Sequence, residues 1–326
     1  ICEGAIKIDD LKDITKDSKF KAVGLCDTSN LCGALEFAEK LSKSGSQPII
    51  GTQINFKFND TTGLIPLFAL NENGYKTIIK LSSLSFLKND ELSDPHLDLN
   101  ELLNNNEGVA IFSGTINGLF GQLFNKGKFS EINEIFSKLK SNYGDRFYIE
   151  IQRHGDQNEK EFEKFNLMSS KKLDIPIIAT NEVFYIDKDM HEAHDALICI
   201  KNKTYVNEKN RVRFSNNHYL KSSSEMVDLF SDLPEALENN YNFPFRCNFR
   251  PLSSKPILPN ISSDKGITAD EILRKDSLDG LNEKFKNVFN LNDKDFSFNE
   301  NYLKYKDRLD HELDIIIKMN YASYFL

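Results

Sequence analysis

The chain has 326 residues, 40% of them apolar and 28% charged, with a net charge of −8. At roughly 100–200 residues per domain this suits two domains, and the composition is that of a globular chain, not a disordered one. The acidic balance excludes an avid nucleic-acid binder built on clustered Lys and Arg, no apolar run nears the ~18 residues of a membrane span, and the scattered cysteines form neither a zinc knuckle nor a redox pair.

In chain order, residues 21–26 read as a strand ending at Asp27, and Leu35, Ala38 and Leu41 recur at helical spacing over residues 33–43. Residues 48–51 begin a second strand and residues 64–70 form a third. A helix over residues 75–83 follows, with Ile78, Ile79 and Leu81 as its apolar positions. Residues 109–112, 147–151 and 175–179 supply three more strands, and most of the six are flanked by helical patterns. This is the sequence form of βα repeats, and it predicts an α/β fold with a mostly parallel sheet or barrel. In such an array the strand ends carry the functional loops, here Asp27-Thr28, Thr52-Gln53, Ser113-Gly114, Gln152-Arg153-His154 and Thr180-Asn181-Glu182.

From Arg250 the composition changes, with Pro251, Pro256 and Pro259 among several serines, which predicts an extended connector. Beyond it Thr268 and Glu271 form a capping box that opens one helix. A second helix is expected over residues 302–319, with Leu309, Leu313, Ile316 and Ile317 as its core stripe. The expected division is a domain over 1–250, a connector over 251–267 and a helical region over 268–326. The chain opens inside what reads as a turn, with neither the basic start nor the apolar core of a signal peptide, and closes on apolar residues 322–326 without a helix stop. A piece of a longer, cytosolic protein is the expectation.

Motifs that could carry chemistry are few. His191-Glu192-Ala193-His194-Asp195 places two imidazoles at i, i+3, one short of the zinc-protease spacing; a helix start with one packed histidine is the plainer reading. Asp-Lys-Asp at 187–189 and at 293–295 has a form that two-metal enzymes use, but both lie in polar, loop-like surroundings that read as turns. Residues 113–118 match neither a P-loop nor a dinucleotide fingerprint. Residues 160–164 alternate charges around Phe162, as on a solvated helix face. By themselves the residues lead to an α/β protein with a polar barrel mouth.

Taken together, however, the ordered markers Glu3-Gly4-Ala5, residues 27–33, residues 48–51, Asn73-Gly74-Tyr75, residues 149–155 and residues 179–183 make a specific pattern. It continues through residues 193–197, residues 233–237, Arg246-Cys247-Asn248 and the helix of residues 308–313. Over essentially its whole length the chain resembles the N-terminal part of bacterial replicative DNA polymerase III alpha subunits, a PHP (polymerase and histidinol phosphatase) domain. The resemblance implies a PHP-type distorted (βα)7 barrel lacking its first strand, followed by helices that lead into a polymerase palm.

Metal-binding members of that family ring the barrel mouth with His, Asp and Glu, whose metals activate water for phosphoester hydrolysis. Here Asp27 is kept, but Thr28 stands where those members place His, and Gln53 where they place Glu. Glu182 and Phe184 stand where they place the Asp and His of a DxH pair, His154 alone keeps a ligand type, and the opening HxH would precede Ile1. Thr and Phe are not useful ligands and neutral Gln replaces a carboxylate poorly, so the resemblance implies a degenerate, structural cleft with no metal and no hydrolysis. The carboxylates that hold two magnesium ions in the polymerase would follow Leu326. The full-length protein would then be a Mg2+-dependent, DNA-directed DNA polymerase of chromosome replication, and this piece catalytically silent.

The partners implied are a proofreading exonuclease subunit docked on the PHP domain, a sliding clamp, and primer-template DNA through the missing domains. A metal-dependent PHP phosphoesterase or an intrinsic 3′–5′ proofreading nuclease is the alternative, against which Thr28, Gln53 and Phe184 speak. A non-catalytic module unconnected with replication is a third, against which the palm-like helix speaks. A barrel without its first strand is also expected to bare two strand edges and an apolar groove, and so to aggregate.

Overall fold

The first strand and helix repeat as expected: α1 (Ile8–Asp17), β1 (Ala22–Thr28) and α2 (Ala34–Ser44) precede β2 (Gln47–Phe58). The chain then departs from the βα pattern. β3 (Thr61–Ala69) follows β2 after only Asn59-Asp60 and pairs with it antiparallel, from Phe58↔Thr61 to Gly51↔Phe68. A parallel return needs a crossover of a dozen or more residues, so a two-residue link forces a hairpin, with Asn59 at φ 53° in the left-handed region. The third strand expected in a mostly parallel sheet is therefore antiparallel to both its neighbours.

After α3 (Glu72–Leu87) come β4 (Leu97–Asp98), α4 (Leu99–Asn104), β5 (Val109–Phe112), α5 (Leu119–Asn125) and α6 (Phe129–Tyr143). β6 (Phe147–Ile151), α7 (Glu159–Leu173) and β7 (Ile177–Ala179) complete the sheet, whose order is β1-β2-β3-β5-β6-β7 with β4 beside β2. All strands but β3 run in one direction, and the sheet curls into a distorted half-barrel. α8 (His191–Asn202), α9 (Ser223–Leu229) and α10 (Pro234–Arg246) follow. This computed structural model describes residues 3–17, 20–89, 93–255, 266–289, 296 and 298–326.

Strand alternation sorts two cores. On β6, Phe147, Ile149 and Ile151 join the larger outer core with α5, α6 and α7, while Tyr148 joins a smaller inner one with Ile49, Phe112, Ile178 and Phe243. The inner face is thus apolar at its base and polar toward the mouth, where Thr28 ends β1 and Glu150 lies next to the end of β6; Gln53, expected at a strand end, instead lies in the middle of β2, which runs on to Phe58 to pair with β3. Phe243 of α10 plugs the base, with ring centroids 5.0 Å from Phe112 and 5.7 Å from Phe68.

The same helix covers the β7 edge. Asn239 and Asn240 donate their amides to Ile177 O (2.8 Å) and Ala179 O (2.7 Å), and Gln47 of β2 donates to Pro244 O and Cys247 O. The expected bare edge and open groove on this side are corrected: side-chain amides satisfy the carbonyls that a further strand would have taken.

Contacts divide the chain into two units, Ile1–Ser253 and Ser254–Leu326. Residues 256–265 of the proline-rich stretch and the Asp-Lys-Asp of 293–295 lie outside the described residues. In the second unit, α11 (Ala269–Phe289) is opened by the predicted capping box, Thr268 N donating to Glu271 Oε2 (2.9 Å) and Glu271 N to Thr268 Oγ1 (3.3 Å). α12 (Glu300–Lys318) and α13 (Ala322–Phe325) pack on it through Leu273, Leu313 and Ala322.

Candidate functional site

Parallel register sets Thr28 directly beside Gln53, and both side chains meet at the mouth. Gln53 Nε2 donates to Thr28 Oγ1 (3.0 Å), and Thr28 Oγ1 donates to Glu3 Oε2 (2.7 Å). Lys201 Nζ of α8 lies 2.6 Å from Glu3 Oε1, and Gln53 also hydrogen-bonds Glu182. One polar chain thus ties the segment before α1, the end of β1, the middle of β2, the loop after β7, and α8. Asp27 makes no hydrogen bond to this group through its carboxylate; burial, then the charge of Glu3, pushes its pKa up.

His154 and Phe184 sit in a second, aromatic part of the mouth. The His154 ring stacks on His218 with centroids 3.9 Å apart and planes 10° apart, and Phe184 packs against His194, Phe214 and His218. His154 Nε2 accepts the Glu182 N–H (3.3 Å), which leaves Nδ1 to donate to Asn217 O (3.2 Å). Burial, followed by the neighbouring His218 and Lys221, lowers the His154 pKa to about 3. His218 Nδ1 donates to Glu182 O (3.2 Å), and its buried Nε2 has no hydrogen-bond partner among the described residues, with Asp156 Oδ2 4.0 Å away. Burial lowers its pKa to about 4.

The carboxylates here repel one another. Glu182 rises to about 8, through burial first and then the charges of Glu150, Glu3 and Asp156. Glu150 is buried on β6 and is likewise pushed up by burial, although Thr180 and Gln152 donate to it. For Glu3, burial opposes the charged form, but hydrogen bonds from Lys201 and Thr28 outweigh it and hold the carboxyl below its usual range.

These residues do not fit a metal cluster. The ring nitrogen of His154 that could face a metal is taken by a backbone N–H, two of the remaining positions carry Thr and Phe, and Gln53 is neutral. Among the described residues no group of three or more His, Cys, Asp and Glu is placed to hold a metal. His191 and His194, at the start of α8, bond Phe214 O (3.0 Å) and Glu3 O (2.7 Å) with their Nε2 atoms, as packed histidines do. The arrangement holds protons, since burial favours the neutral forms of Glu182, Glu150, His154 and His218.

Several residues that build the site escape the sequence reading. Glu150, a carboxylate inside an otherwise apolar strand, carries a signal that could have been read. His218 and Lys201 carry none, because tertiary contacts alone bring them to the mouth.

The PHP domain family matches residues 1–154. DNA polymerase III subunit alpha of Rickettsia felis is 38% identical over 99% of this chain and 27% of that protein, and its counterpart in Caulobacter vibrioides is 33% identical over 100% of this chain and 28% of that protein. The subunit of Borreliella burgdorferi is 32% identical, again over 100% of this chain and 28% of its own length. The α/β fold and the match over residues 1–154 liken this part of the chain to PHP domains. The chain spans little more than a quarter of the curated relatives it matches. Along its whole length it is similar to that share of the DNA polymerase III alpha subunits.

Proposed function

We propose that the chain is the PHP region of a replicative polymerase that synthesises DNA on a DNA template, and that its cleft is structural. The similarity to alpha subunits along the full chain carries the first part. The second rests on one contact, the Glu182 N–H on His154 Nε2, which occupies the ligand-type nitrogen that the sequence keeps. In this reading Asp27, Thr28, Gln53, His154, Glu182 and Phe184 form a degenerate cleft. Residues 1–250 are the PHP domain, 251–267 the connector and 268–326 the start of the palm. The polymerase's magnesium belongs to carboxylates beyond Leu326, and its setting is the cytoplasm. A proofreading exonuclease docks on the PHP domain, while the sliding clamp and primer-template DNA are met by the rest of the polymerase. Among the described residues no helix is long and apolar enough to cross a membrane.

Two measurements on the full-length protein test this. Primer extension with Mg2+ is expected, and its absence would sink the polymerase reading. Elemental analysis for zinc, manganese and iron should give near-zero metal in the PHP region; two or three metals per chain, with hydrolysis of DNA 3′ ends, would make it a metal-dependent nuclease.

A further inference from the structure

Residues 203–222, between α8 and α9, contain no helix, and their one strand-like contact is the isolated bridge Tyr185↔Tyr219. A connection of this length without regular structure is uncommon, and it stays ordered only where specific contacts outweigh its entropy. Its far half builds the aromatic side of the mouth. Ser215 Oγ and Asn217 Nδ2 donate to His154 O (2.7 and 2.9 Å), the Phe184 N–H donates to His218 O (2.9 Å), and Leu220 N donates to Tyr185 O (3.0 Å). Its near half is fastened to the start of α8. Arg211 makes two parallel bonds, Nη1 to Asp195 Oδ1 (2.5 Å) and Nη2 to Asp195 Oδ2 (2.6 Å), with the two side chains only 5% and 3% exposed. Two residues on, Arg213 Nη2 donates to Glu192 Oε1 (3.1 Å), and His191 Nε2 donates to Phe214 O (3.0 Å). Val212, between the arginines, is exposed. Positions three apart on a helix bring their Cβ atoms to about 5–6 Å, close to the ~6.6 Å between alternate residues of an extended chain, so the two acids match the two arginines.

We propose that His191-Glu192-Ala193-His194-Asp195 is a docking cradle for Arg211-Val212-Arg213-Phe214, with Arg211 as its anchor, and that this docking positions the segment that forms the aromatic side of the mouth. The docking needs only contacts within this chain and is independent of the polymerase reading. Asp195 and Arg211 carry it, because a two-bond guanidinium–carboxylate pair fixes direction as well as distance, and removing one partner leaves the other charge buried without compensation. The Arg213–Glu192 pair, half exposed or more on both sides, adds little. The cluster that resembles a zinc-protease spacing thus has a use that involves no metal: its acids and His191 receive a strap from the same chain.

Hydrogen exchange followed by mass spectrometry on the full-length protein tests this, comparing the wild type with Arg211→Met and Arg211→Lys. The peptides to watch carry the Phe184 and Leu220 amides, which bond across the mouth end of the strap, and a peptide carrying the Ile149 amide, bonded to Pro176 O (2.9 Å) inside the sheet, reports on the domain as a whole. In Arg211→Met the first two are expected to exchange at least about tenfold faster, the factor lost with one hydrogen bond between charged groups, while Ile149 keeps its wild-type rate. Arg211→Lys retains the charge but not the fork, and should fall between. Unchanged exchange at Phe184 and Leu220 in Arg211→Met would overturn the proposal, since the strap would then be held by its mouth contacts alone. An equal rise at all three amides would also overturn it, because the pair would be supporting the whole domain and not the strap. Should Arg211→Met fail to fold, Asp195→Asn, which keeps the shape of the side chain and removes its charge, is read by the same three peptides and the same two outcomes.

Discussion

Glu182 offers the sharpest test of the mouth's electrostatics. In the unfolded chain its carboxyl loses a proton near 4.5, whereas in the fold it keeps the proton to about 8, because burial and then Glu150, Glu3 and Asp156 oppose its charge. Between those values the folded protein binds more protons than the unfolded one. Its stability contribution is therefore complete below 4.5 and is lost as pH rises through about 8. Each pH unit in that window is worth about 1.4 kcal/mol, so the whole span costs up to about 5 kcal/mol. Glu182→Gln keeps the shape and a hydrogen-bonding partner for Gln53 but cannot ionise. Urea unfolding of wild type and variant, followed at several pH values from 4.5 to 9, should show the variant gaining on the wild type by about 1.4 kcal/mol per unit up to about pH 8, then levelling. A difference that does not change with pH would mean that Glu182 titrates as in water, and the crowded-carboxylate account of the mouth would be wrong.

The histidine pair predicts the opposite limb: the unfolded chain takes up a proton on His218 near 6.5 while the fold resists to about 4, so stability falls as pH drops through that window. His218→Phe, which retains a ring against His154, should flatten that fall in the same urea series; an unchanged acid limb would exclude His218 as its source. Gly74→Ala places a Cβ 1.9 Å from Gly108 O at the start of α3 and is expected to cost ~1–3 kcal/mol, read from the denaturant midpoint. Asn239→Ala and Asn240→Ala each uncover a β7 carbonyl, costing ~1 kcal/mol and raising light scattering on storage; a double variant as stable and monomeric as wild type would mean the edge does not need its cap.

Much of the mouth was legible because strand position is a local property. Thr28, His154 and Glu182 stand at or near strand ends, and the fold gathers them through register and short loops, whereas Gln53, read as a strand end, lies in the middle of β2. The strands themselves were visible as short β-rich runs, and the Thr268 capping box as a spacing, since each depends on residues a few places apart. The direction of β3 was not seen because the strand begins at Thr61, three residues earlier than its apolar run, and that hides how short the link from β2 is. The two-residue strand β4 was missed because it makes too little pattern to read.

What the sequence determined by itself was the class of fold and the polar character of the strand-end loops. Those follow from residue identity and periodicity, whereas the reading of Thr28, Gln53 and Phe184 as lost ligands came from the family resemblance. Only the tertiary structure decided how the mouth is held. Glu3 and Lys201 are 198 positions apart, and His154 and His218 come from separate loops. No periodicity links such residues; packing of α8 and of the loop before α9 against the strand ends brings them together. The same holds for Asn239 and Asn240, whose role as an edge cap depends on where α10 docks. Charge, hydrogen-bond capacity and size are written in each residue, whereas the partner that satisfies them is chosen by the fold.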